Sequence, residues 1–151
     1  MADVPTLIYD LALRSLDQQE RELSELRART NTVIAAAAVI TSLLGAATID
    51  REGVSGWAVI ALIVFAGTGA LSLFVLWPRT LRFAFDARHT YQELCPLAEN
   101  VPQAQLRVAY SARDRYVENK AVIDGLEFAF QVAVVCLGAQ TLLWALALAV
   151  V

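Results

Sequence analysis

A chain of 151 residues with 58% hydrophobic and only 18% charged residues, and a mean hydropathy of +0.53, is skewed far from a soluble globular domain. It is also too short to wrap its apolar runs in amphipathic helices of its own. A net charge of -3 and a pI near 5.1, with no basic arm, exclude nucleic acid as the main partner.

Three stretches, Thr32 to Ile49, Trp57 to Trp77 and Phe128 to Val151, contain no Asp, Glu, Lys or Arg. Each has the roughly 17 to 25 residues a helix needs to cross about 30 Å of hydrocarbon. The expected fold is an all-α integral membrane protein with three transmembrane helices, the first and third extended beyond the lipid as long helices forming a helical bundle.

Residues 6 to 49 read as one helix, polar in its first half and apolar in its second. Pro5 is a start signal, and strong helix formers follow with no Gly or Pro before Gly45. Tyr9, Ala12, Leu16, Gln19, Leu23, Leu26 and Thr30 recur at alternating spacings of three and four, a partly polar seam of coiled-coil type that wants a partner helix. The acidic and basic residues mixed through this stretch do not resemble a secretory signal, so the segment is expected to remain cytosolic.

Asp50 to Gly56, with Gly53, Ser55 and Gly56, supplies the chemistry of a tight outside turn. The second span, 57 to 77, ends at Pro78. Residues 78 to 102 read as an interfacial helix, carrying Leu81, Phe85 and the stems of Arg82 and Arg88, followed by a loop from Cys95 to Pro102. Trp57, Trp77 and Trp144 fall near the expected membrane faces, where an indole is favoured.

From 103 to 150 helix returns. Ala109, Ala112, Tyr116, Asn119, Ile123, Leu126, Phe130 and Ala133 keep a heptad that runs from the polar stretch into the third span, ignoring the membrane boundary. The first half of this helix is expected to pack beside the N-terminal helix as an antiparallel or bundled pair. The packing seam therefore comprises Leu16, Leu23 and Leu26 on one helix and Ala109, Tyr116, Ile123 and Phe130 on the other, and the same seams point to a homo-oligomer.

Eleven of the twelve Lys and Arg fall before the first span or between the second and third, and only Arg51 lies between the first and second. Positive residues stay in the cytosol, so the N-terminus is expected inside and the C-terminus at the outer face of a bacterial plasma (inner) membrane, in multi-pass topology.

The chemistry-bearing residues are few. Gln131 and Gln140 stand about half a helical turn apart in direction, so at least one should meet another helix. Thr68 and Ser72, flanked by Gly67 and Gly69, give a small polar face suited to close helix approach, as do Ala35 to Ala38 with Gly45. Cys95 and Cys136 lie at different depths and are expected as free thiols, and His89 is the only histidine. No catalytic, metal or cofactor site is expected, and the chain does not read as an enzyme. No acidic or basic group lies in the middle of any span, which removes the usual mark of a proton relay or ion-coupled carrier.

The order of elements resembles the small membrane effectors of bacterial anti-phage systems, the Pycsar transmembrane effectors and the SLATT family. The likeness is carried by Leu16-Asp17-Gln18-Gln19-Glu20-Arg21 through Arg29-Thr30-Asn31-Thr32 into the alanine run, by Trp77-Pro78-Arg79, and by Tyr116-Val117-Glu118-Asn119-Lys120 leading into the third span. It implies an assembly in the lipid bilayer that oligomerises and impairs membrane integrity in antiviral defence, on a cyclic-nucleotide signal or through a cognate membrane-complex partner. A non-enzymatic accessory or scaffolding subunit of a larger complex, and a holin-like channel former, are the other two classes the sequence admits.

Overall fold

The computed structural model describes residues 4–52, 55–79, 81, 83 and 100–149, with the side chains of 49–52 excepted. Among these the structure is helical, without strands, and consists of α1 (Val4–Glu52), α2 (Gly56–Leu76) and α3 (Val101–Ala149). Each of the three is long and apolar enough to cross a membrane.

The boundaries follow from local chemistry. Pro5 sits in the first turn of α1, where its missing N–H would have had no partner. The helix continues through Asp50, Arg51 and Glu52, so the outside turn expected from Asp50 starts later than the sequence suggested. These three residues tolerate helix, and the first helix-breaking residue after them is Gly53. Ser55 caps α2, its Oγ accepting from the Ala58 N–H at 3.2 Å. Trp77 leaves the helix at φ -55° and ψ 128°, the extended conformation that a following proline imposes.

At the start of α3, Asn100 is the cap. Its Oδ1 accepts from Gln103 N–H at 3.3 Å, and its carbonyl accepts from Gln103 and Ala104 at 3.1 Å each. Val101 and Pro102, expected in a loop, are therefore the first turn of the helix, which tolerates proline because its N–H groups have no intrahelical acceptor. Arg79, Leu81 and Phe83 are non-helical. The rest of the expected interfacial segment, with Phe85, Arg88, His89 and Cys95, lies outside the described residues.

Two compact units form. One comprises Met1–Ser24 and Arg79–Asp124, the other Glu25–Pro78 and Gly125–Val151. In the first unit α1 and α3 meet along the seam, with Leu16, Gln19 and Leu23 buried on one side and Ala109, Ala112, Asn119 and Ile123 on the other. Thr6 Oγ1 donates to Gln105 Oε1 at 3.3 Å and Gln19 Nε2 to the Tyr116 carbonyl at 3.0 Å. Residue n of α1 thus lies beside a residue close to n plus one hundred, and the two helices run the same way. Of the antiparallel or bundled pairing expected, the antiparallel alternative is corrected, since spans that alternate in direction return the third helix to the direction of the first.

In the second unit the pairing has the same sense. Leu26, Thr30, Val33 and Ala37 of α1 are buried, as are Leu126, Ala129, Ala133 and Gln140 of α3. Toward the end of α3, Trp144 and Ala147 close on Ala58 and Ala61 of α2, with Ile40, Leu44 and Leu143 around them. Leu43, Ile63, Leu73, Val135 and Leu142 remain exposed, as lipid-facing side chains of a bundle would be.

Candidate functional site

The features most open to function are the polar groups buried along the seam, because hydrocarbon offers them no hydrogen bonds. Gln140 is completely buried, and its Nε2 donates to Thr41 Oγ1 at 2.6 Å and to the Ala37 carbonyl at 3.1 Å. This is a contact from α3 to α1 inside the second unit. Gln19 makes the reciprocal kind of contact in the first unit, from α1 to the main chain of α3. The Oε1 atoms of both glutamines, Ser72 Oγ and Trp144 Nε1 are buried and have no hydrogen-bond partner among the described residues.

Of the four side chains singled out for interhelical contact, only Gln140 makes one by hydrogen bond. Gln131 is exposed on α3. Thr68 and Ser72 are fully buried on α2, yet the Thr68 hydroxyl donates within its own helix, to the Val64 carbonyl at 3.0 Å. Thr30, Ser42, Thr48 and Thr141 do the same to carbonyls four residues back. A hydroxyl in lipid satisfies itself most simply by such back-bonding, which leaves the helix face to pack by shape.

Along the seam, Leu16, Leu23, Leu26, Ala109 and Ile123 are buried, while Tyr116 and Phe130 are half-buried. Past Leu126 the heptad positions Ala133 and Gln140 stay buried, and Ala129, one residue before Phe130, is buried as well.

Trp144 is the largest departure from the sequence reading. It is fully buried between helices, where an interfacial indole would be open to the headgroups, and a Cβ built on Gly45 would stand 3.2 Å from its Cη2. Gly45 thus makes room for the indole on α1. Trp57 and Trp77 are 43% and 68% exposed at the two ends of α2. Gly67 and Gly69 have nothing within 4 Å of a built Cβ, so they do not create the close approach expected of them.

Cys136 is a free, half-buried thiol. Among the described residues no group of three or more His, Cys, Asp or Glu is placed to hold a metal. Sequence reasoning missed Thr41 and the Gly45 and Trp144 pair, whose partners lie 99 residues apart. The direction of the spans is the signal that could have found both, because it puts α1 and α3 in parallel register. Comparison with family models, curated proteins and solved structures finds no match to this chain.

Proposed function

We propose that the chain is a membrane-resident, non-enzymatic effector of the anti-phage type, resting until a cyclic-nucleotide signal or a cognate cytosolic partner changes how α1 packs on α3. The observation that carries this reading is that both helices are uninterrupted over 49 residues and contribute to both units. A rotation or slide of α1 against α3 within a unit is the kind of packed-helix shift by which such switches work. Packed interfaces of this kind switch between discrete arrangements rather than deforming smoothly, which suits a resting and an active state.

The distribution of Lys and Arg supports a cytosolic N-terminus and an outward C-terminus in the bacterial inner membrane. A holin-like channel draws less support. Gln140, the polar side chain nearest the middle of its span, donates to Ala37 and Thr41 of its own chain and is not available to line a pore. Growth and membrane potential after induced expression, alone and with the neighbouring genes of its locus, test the reading. Depolarisation that requires a neighbour is the expected result. No depolarisation in any combination overturns it in favour of an accessory subunit.

A further inference from the structure

The seams that suggested self-assembly are occupied within one chain, so any second copy must meet a different surface. The first unit carries one. Val4, Ile8 and Leu11 on α1 and Tyr110 and Val117 on α3 are exposed, Leu11 at 70% and Tyr110 at 63%.

These residues are not scattered. Val4, Ile8 and Leu11 each stand one residue before the inward positions Pro5, Tyr9 and Ala12, and Tyr110 and Val117 each stand one residue after Ala109 and Tyr116. In a parallel pair of right-handed helices, the residue before the seam on one helix and the residue after it on the other turn to the same side. The five therefore share one face, with Leu11 level with Tyr110, and half-buried Leu106 continues it. A contiguous apolar face rimmed by polar residues is the pattern an interaction site takes.

We infer that this face binds the same face of a second copy, forming a four-helix bundle of two α1 and α3 pairs. The inference goes beyond the proposed function and rests on it only in that both copies enter the membrane the same way. Copies so oriented carry their helices in parallel, and the two-fold axis between them then runs along the helices. Under that symmetry the α1 edge of one copy lies against the α3 edge of the other, and Val4, Ile8 and Leu11 meet Leu106 and Tyr110.

Charge agrees with this pairing. Further along the same face, α1 presents Gln18 and Glu22, joined by a hydrogen bond from Gln18 Nε2 to Glu22 Oε1 at 2.8 Å, and α3 presents Arg113, Lys120 and Asp124, all exposed. Glu22 and Lys120 stand at nearly the same level, so each faces the other's counterpart across the two-fold. With one acid on the α1 edge and two bases against one acid on the α3 edge, the face is complementary to itself only when turned in this way.

The test uses the full chain in lipid nanodiscs and native membranes, with Cys95→Ser and Cys136→Ala removing the native thiols. Two differently tagged versions, Leu11→Cys and Tyr110→Cys, are co-expressed and oxidised. The expected product is an interchain disulfide joining the two tags, at least five-fold more abundant than either version linked to itself. In the parent chain, Leu11→Glu shifts dimer to monomer with helicity unchanged, and Glu22→Lys weakens the dimer until Lys120→Glu restores it. A monomeric parent, or a dimer that gives no mixed disulfide and survives Leu11→Glu, overturns the inference, as does another protein or a lipid surface protecting the face. None of these readouts depends on toxicity, so the effector reading stands or falls separately.

Discussion

Gln140 and Trp144, one turn apart on α3, show how single side chains fix this structure. The carboxamide donates twice to α1, and the indole fills the space that Gly45 leaves open. Interhelical hydrogen bonds in lipid contribute about 0.6 to 2 kcal/mol, because the unfolded state in the membrane also finds partners. Gln140→Leu should therefore cost about 1 kcal/mol, and Thr41→Val less, with the double change smaller than the sum because the two share one bond. Unfolding in mixed micelles measures this. Trp144→Ala removes a fully buried aromatic and should cost about 3 to 5 kcal/mol, whereas Trp57→Ala and Trp77→Ala should each cost about 1 kcal/mol or less. Brominated lipids should quench Trp57 and Trp77 far more than Trp144. Gln140 could be picked out in the sequence as a polar residue in an apolar run. The burial of Trp144 could not, because the glycine that admits it lies on another helix.

The helices owe their limits to caps and their pairing to spacing. Asn100 closes the start of α3 with both its side chain and its carbonyl, so Asn100→Ala should cost about 1 kcal/mol and fray the first turn, as amide exchange at Gln103 and Ala104 would report. Gly125 lies exposed in the middle of α3 with nothing within 4 Å of a built Cβ. Gly125→Ala should therefore stabilise the helix by about 0.5 to 1 kcal/mol, measured by thermal unfolding. The seam was legible at Leu16, Leu23, Leu26, Ala109 and Ile123, because a three and four spacing has one inward face whatever covers it. Its end was less so, since Ala129, which the heptad leaves out, is buried while Phe130 is only half-buried. The start of α3 was misread for a different reason. Asn100 and Pro102 serve loops and helix starts equally well, and only the following donors decide between them.

The three helices and their capacity to span a bilayer follow from the absence of charge over each apolar stretch, which no other solvent tolerates in so short a chain. What the spacing alone did not supply was direction. Alternating spans run α1 and α3 the same way, and this parallel pairing underlies both the cross-helix glutamine contacts and the shared apolar face of the first unit. The most direct measurement is oxidation of the full chain carrying Ala12→Cys and Ala112→Cys in a background without native thiols. Parallel pairing places these two seam positions opposite each other, so a fast intrachain disulfide is predicted, while Ala12→Cys with Ile123→Cys should give none. The reverse outcome, with Ala12→Cys linking to Ile123→Cys and not to Ala112→Cys, would contradict the parallel register.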